Sequence, residues 1–287
     1  MKQTLNPSTL YQMIKLLKIE LKKYFSYANF WVIFGLHAAL FVLSIFIVAN
    51  IKIDMQGFDI NHLWTFPAVW NTVTWIASWF NLILAIFIIV ITGNEFSFKT
   101  FRKTHIDGLS RHELVAGKVI VMLMSSVYCF VLVFITILIT GFVKSGFIGL
   151  SSAFENSYYL FVYLIQAFAY MSVGFFVAVI VKNTGLSILF FILYFFPVEP
   201  ILRGIIPDVV SNYFPMKIIS NLTPAPEIFN FGGSAQFTTS INGSVVTQQP
   251  AVAEAPSDLM WLNVIFALIY IFAFLFTSKM LIEKRSL

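Results

Sequence analysis

The side chains able to do chemistry are few, and their spacing excludes most chemistries. Four histidines (His37, His62, His105 and His112) are scattered without the short intervals that metal ligation needs. Cys129 is the single cysteine and lies in an apolar run, so neither a disulfide nor a thiolate metal site is available. "AGKV" at 116–119 has no glycine five residues before Gly117 and no Ser or Thr after Lys118, so it is not a phosphate-binding P-loop. Neither G-x-S-x-G nor H-E-x-x-H occurs. What remains is a concentration of charge. Thr92 to Lys118 holds five basic residues (Lys99, Arg102, Lys103, Arg111 and Lys118) and three acidic ones (Glu95, Asp107 and Glu113), between two long apolar stretches.

The rest of the chain sets the solvent in which that charge must work. Of the 287 residues 59% are hydrophobic and only 11% charged, and the mean hydropathy is +0.86. So few charges cannot cover a water-soluble surface, so the solvent is lipid. A helix crosses a bilayer core with about 20 apolar residues. Six segments qualify, at about 28–49, 69–92, 118–142, 158–181, 186–206 and 259–280. The first is too long for a signal-peptide core and has no small-residue cleavage site after it, so it reads as a retained helix. The fifth meets Pro197 and Pro200 near its end, where prolines break helices. The expected fold is an all-α polytopic membrane protein with one transmembrane domain over 1–287.

Lys and Arg then orient it. Fourteen of the eighteen fall on the side holding the N-terminus, the charged loop, Lys182 and the C-terminus. Only Lys52, Lys144, Arg203 and Lys217 fall on the other. By the positive-inside rule both termini are cytoplasmic. Asn6 can cap a helix with Pro7 at its first position, and Leu10, Ile14, Leu17, Leu21 and Tyr24 recur on one face of it. Residues 6–27 therefore read as an interfacial helix with its lysines toward anionic headgroups, or as a solvated cytosolic helix. The outer loop, 207–258, is apolar enough in its first half for short helices that touch or re-enter the bilayer. In its polar second half Asn242-Gly243 separates "FTTSI" from "SVVTQ", a hairpin signal. Residues 281–287 form a cytoplasmic tail.

As a helix begun at Glu95, the charged loop gathers Glu95, Lys99, Arg102 and Lys103 on one face, with Phe98, Phe101 and His105 on another. "DGLS" at 107–110 breaks the chain, and Ser110 caps the next helix with Glu113 three residues on. An amphipathic coupling helix and an ordinary positive-inside loop are both open readings. Within the bilayer His37, Asn81, Gln166 and Asn263 are the clearest polar groups, as functional candidates or as helix-to-helix hydrogen bonds. Trp64, Trp70, Trp75 and Trp79 mark the outer approach to the second span, as interfacial anchors or, for Trp75 and Trp79, as lining of a substrate path. Glu199 and Arg203, four apart, form a structural ion pair or an outer gate.

Taken together, the chain resembles the ABC-2 type permeases, the membrane halves of ABC exporters. Six helices, both ends inside, an interfacial N-terminal helix and a long outer loop before the last helix carry the resemblance in topology. The motif that carries it between the second and third helices is Glu95, Thr100, Ser110-Arg111 and Lys118. Where relatives often have a proline before the serine-arginine pair, this chain has Gly108-Leu109.

The resemblance implies that the loop is a coupling helix seated in a groove of a separate ABC ATPase subunit. Phe98 and Phe101 would be its anchors, and Lys99, Arg102, Lys103 and Arg111 would pair with acids at the groove's rim. Glu95 would fix the loop to its own helix. It further implies a second permease copy or a homologous permease, membrane lipid around the pair, and a bacterial cytoplasmic membrane. This chain itself would hold no cofactor; ATP and Mg would be bound by the partner subunit. No nucleic acid partner is implied. The substrate expectation is an amphipathic, lipid-like or peptide-like molecule, since the core is aromatic and uncharged. Two rivals stand beside an exporter: a membrane anchor for an ABC-type machine doing mechanical or assembly work, and an intramembrane enzyme. Against the enzyme, "EPILR" at 199–203 has one glutamate where membrane proteases of the CAAX type have two adjacent ones.

Overall fold

Long runs of Leu, Ile, Val and Phe with few charges can satisfy their backbone in lipid only as helices. The computed structural model describes residues 20, 22, 25, 28–51, 60–100, 103, 106, 110–146, 149–226, 238–241, 244–247 and 257–284, and these are helical almost throughout. The helices are α1 (Ala28–Asn50), α2 (Val69–Ser78), α3 (Asn81–Ser97), α4 (Arg111–Ser145), α5 (Leu150–Ala153), α6 (Tyr158–Val181) and α7 (Thr184–Leu193). They continue as α8 (Glu199–Ile205), α9 (Asp208–Ser211), α10 (Pro215–Ser220) and α11 (Ser257–Lys284). Six stretches are long and apolar enough to cross a membrane: Phe30–Asn50, Val69–Ser97, Arg111–Ser145, Tyr158–Val181, Thr184–Ile205 and Met260–Lys284. The chain is a multi-pass membrane protein of six spans, as its sequence leads one to expect.

Three details depart from the uniform rods expected. The second span is two helices, α2 and α3, joined through Trp79 and Phe80. In the fifth span Pro197 does not stop the chain. It is absorbed in a π-helical turn over Tyr194–Val198, and α8 carries on from Glu199. A π turn lets the helix skip the amide that proline lacks. The third span is longer than 118–142, because its true start is the cap at Ser110.

The fourth span, α6, is the hub. Its buried face, from Leu160 through Tyr163, Ala167, Met171 and Phe175 to Val179, joins Leu84, Phe87 and Ile88 of α3 and Met122, Cys129 and Val133 of α4 in one core. A second face packs Ala169, Tyr170 and Val173 against Phe191 and Ile271. The outward faces of α1, α7 and α11 leave large apolar side chains exposed, among them Phe46, Phe190 and Phe272. Such surface is at home in lipid and not in water. Several hydroxyls inside the spans are satisfied locally: Ser125, Ser126, Thr136 and Ser278 each donate to the carbonyl four residues back.

Gly174 permits a close helix contact in this core. A Cβ there would lie 2.8 Å from the carbonyl oxygen of Ala85 on α3. Gly174→Ala is therefore expected to push α3 and α6 apart and to cost about 1–3 kcal/mol. Thermal unfolding in detergent reads it; a melting temperature equal to that of the parent protein would show that the two helices can yield.

Beyond the fifth span the chain folds back. α9 and α10 are the short helices anticipated for the first half of the outer loop, and Met216, Ile218, Ile219 and Leu222 are buried against α6 and α11. In the second half, Thr238–Ile241 pairs antiparallel with Ser244–Thr247, Ile241 facing Ser244, about the anticipated Asn242-Gly243. Most of the proposed interfacial helix at 6–27 and most of the loop at 101–109 lie outside the described residues, with Phe101 and Arg102 among them.

Candidate functional site

The charged loop was expected to begin as a helix at Glu95. Instead Glu95 belongs to the last turns of α3, which ends at Ser97. Lys99 then takes a positive φ of 55°, a left-handed conformation that stops the helix and turns the chain. Thr100, Lys103 and Ile106 are helical again, and the Lys103 amide donates to the Lys99 carbonyl at 3.1 Å. The loop element is thus set off from the second span by a bend at Phe98-Lys99, and Glu95 and Phe98 do not share a helix with Lys103. Phe98 is 77% exposed, and Lys99, Lys103 and Ile106 (74%) are exposed as well.

The far end of the loop is built as its sequence suggests. Ser110 Oγ accepts from the Glu113 amide, and the Glu113 carboxylate accepts from the Ser110 amide at 2.7 Å, a reciprocal capping box that opens α4.

Inside the bend the geometry holds a surprise. Lys118 lies only two turns into α4, yet it is 1% exposed. Its Nζ donates to Glu95 Oε1 at 2.7 Å and also reaches Glu20 Oε2 at 3.5 Å. One ammonium thus ties together the end of the second span, the start of the third and the N-terminal segment. Glu20 lies against the α4 backbone: a Cβ on Gly117 would sit 3.0 Å from its Oε1. Glu95 thus reaches across to α4, a contact the sequence did not point to. The reason is its depth. A 6% exposed carboxylate needs a charge partner, and among the described residues the only lysine that deep comes from the neighbouring helix.

Arg111, expected at a partner's rim, makes contacts within the chain. Its Nη1 donates to the carbonyls of Ile282 (3.2 Å) and Glu283, so it caps the end of the sixth span. His112 lies 3.7 Å from the Glu283 carboxylate. The first turns of α4, through Arg111 and Lys118, thus contact the second and sixth spans and the N-terminal segment at one end of the bundle. Thr184 adds the fifth: its hydroxyl donates to Asn94 Oδ1 at 3.0 Å, beside Gly93, where a Cβ would meet the Thr184 backbone at 2.8 Å.

The opposite end of the bundle holds the other polar residues. Glu199 and Arg203 do not form the expected ion pair. Glu199, 1% exposed, accepts from the amides of Met216 (3.1 Å) and Lys217 (2.7 Å) with its two carboxylate oxygens. With Pro215 opening α10, those two amides have no helical acceptor, and the carboxylate supplies one. The partner lies 17 and 18 residues away, beyond the reach of an i,i+4 argument. Gln166 fixes the same fold-back: it donates to Ile219 O (2.9 Å) and accepts from Thr223 (3.1 Å) and from Asn81 (3.4 Å). Asn81 and Gln166 thus serve helix packing. Glu199→Leu is expected to destabilise the protein by about 1–3 kcal/mol and to open 215–223 to protease, since two buried amides lose their acceptor. Glu199→Gln, which keeps one acceptor oxygen, should fall between; protection equal to the parent's in the leucine variant would remove the capping role.

The tryptophans divide. Trp64 and Trp70 are buried, and Trp70 Nε1 donates to Ala153 O at 2.7 Å, so neither is an interfacial anchor. Trp75 and Trp79 meet edge to face with ring centroids 6.1 Å apart and line a cavity of about 400 Å³ shared with Glu199 and Arg203. His37 is buried in the core with Cys129 Sγ 3.9 Å from its Nε2. No group of three or more metal-ligating side chains occurs among the described residues.

Residues 16–198, which hold the first four spans, most of the fifth and the whole charged loop, match the family described as ABC-2 family transporter protein. No curated protein matches the chain.

Proposed function

This chain belongs to the ABC-2 transporter family, and from that premise we propose that it is the transmembrane subunit of an ATP-driven exporter. A separate ABC ATPase subunit binds ATP and Mg and seats on the charged loop; this chain has no nucleotide site of its own. Two permease copies, or this chain and a homologue, line the path. The cargo is an amphipathic, lipid-like or peptide-like molecule moved out of the cytoplasm or the inner leaflet of a bacterial cytoplasmic membrane.

The observation that carries this reading is the linkage at Lys118. Force applied to the exposed loop surface of Phe98, Lys99, Lys103 and Ile106 reaches Glu95 one turn away, and Lys118 passes it to the third span and the N-terminal segment. A loop that served only to place positive charge on one side has no need of a buried lysine with two acids. Coupling needs elements that move as one, and a short, dry, charged contact is stiff and directional. The left-handed turn at Lys99 lets the loop element present its own surface while its base stays locked in the bundle.

The test is purification of the tagged permease with its ATPase, together with its orientation. The ATPase is expected to copurify and to hydrolyse ATP faster in the complex. Cysteines replacing Thr9 or Ser286 should resist an impermeant thiol reagent in intact cells, and one replacing Ser244 should label. The native Cys129 is buried and gives little background. Labelling at position 286 but not at 244 would place the charged loop outside, away from any ATPase, and end the reading.

A further inference from the structure

The 400 Å³ cavity at the end of the bundle opposite the charged loop has no part in the coupling linkage. Its walls come from the second span (Trp75, Trp79), the π turn of the fifth (Phe195, Phe196), α8 (Arg203) and α10 (Lys217). The rings stand in edge-to-face pairs, Trp75 with Trp79 at 6.1 Å and Phe195 with Phe196 at 4.8 Å. The charge inside is unbalanced. Among the described residues Glu199 is the only acid in the lining, and its two oxygens accept from the Met216 and Lys217 amides. Arg203 forms no hydrogen bond or ion pair among the described residues, and its Nε is buried without an acceptor. Lys217 Nζ has a neutral acceptor, Asn212 Oδ1, at 2.6 Å.

A guanidinium beside an aromatic wall, with an ammonium nearby and no free anion, is a half-made site. The geometry points to a binding site for an amphiphile with a phosphate headgroup. Arg203 offers paired N–H donors whose fork matches two phosphate oxygens, and Lys217 adds a point charge for a second negative charge. Trp75, Trp79, Phe195 and Phe196 cover the first part of the apolar chain. A volume of 400 Å³ accommodates a headgroup and the start of a chain, with the remainder lying along the exposed Trp79 (58%) toward the membrane. That such an amphiphile is the exporter's cargo rests on the function proposed above; that the cavity binds it does not.

The experiment is binding to the full-length permease in nanodiscs of zwitterionic lipid, without ATPase, so its outcome is independent of coupling. The probe is brominated dodecyl phosphate, whose bromine quenches nearby tryptophan, with brominated dodecyl maltoside as the neutral control for partitioning. Saturable quenching by the phosphate is expected, and it should vanish when Trp75 and Trp79 are both replaced by phenylalanine. Arg203→Gln is expected to weaken it at least about tenfold. Arg203→Lys keeps the charge but loses the fork, so its affinity should fall between those of the parent and Arg203→Gln, which separates recognition from misfolding. Inorganic phosphate should displace the probe only at far higher concentration than unbrominated dodecyl phosphate. Equal affinity in Arg203→Gln, or equal binding of the maltoside, would overturn the site. Displacement by inorganic phosphate at the same concentration would overturn the amphiphile in favour of a free anion. If binding fails while the ATPase copurifies, the cavity assignment falls and the exporter reading stands.

Discussion

Replacing Lys118 by methionine is expected to destabilise the folded permease by about 3–5 kcal/mol, the largest effect of any single change at the charged end. The ammonium is 1% exposed and 2.7 Å from a carboxylate that is itself buried. Removing one partner of such a pair leaves the other as an uncompensated charge in a medium that cannot solvate it. Glu95 cannot escape to water, because it sits in the last turns of α3 with Gly93 packed against Thr184 a residue away. Glu20, 12% exposed and 3.5 Å from Lys118, is less confined and would suffer less. The loss should therefore be recovered in large part by also changing Glu95 to methionine, since replacing a whole buried pair by apolar groups of similar volume is close to neutral. Melting temperature and the monodisperse fraction after detergent extraction measure both variants. Coupling separates the two roles of the pair. The double variant is expected to be stable and yet to have lost the ATP-dependent activity of the complex. A double variant with full activity would show that the contact holds the fold and transmits nothing.

Much of this architecture could be read from sequence, and what could be read shares one property: its cause is local. The six spans follow from runs of about twenty apolar residues, the start of α4 from Ser110 and Glu113 at capping distance, and the hairpin from a two-residue turn between β-favouring runs. What could not be read depends on partners far along the chain. Glu199 was matched to Arg203 because four residues make a helix turn, yet it caps α10 seventeen residues on, leaving Arg203 to face the cavity. Lys118 could be read only as part of the motif, since nothing near it in sequence shows that Glu20 and Glu95 close over it. The bend at Lys99 was hidden because lysine carries no signal for a positive φ. Trp70 looked like an interfacial anchor until its partner, the carbonyl of Ala153, came from 83 residues away.

If the loop beyond Glu95 seats an ATPase, the ratio of ATPase to permease after affinity purification must depend on its aromatics. Phe98, 77% exposed at the bend, and Phe101, three residues on, are the anchor candidates. A ring buried in a partner's groove contributes a few kcal/mol, while a rim lysine contributes a fraction of that and is screened by salt. Replacing both phenylalanines by alanine should leave insertion unchanged, because neither belongs to an apolar span and Phe98 is exposed. The ATPase should then dissociate on detergent extraction. Lys99→Ala with Lys103→Ala should lower the ratio modestly, and further as salt is raised. The account predicts a purified Phe98→Ala, Phe101→Ala permease with its partner nearly gone; the same variant retaining its full complement of ATPase would contradict it.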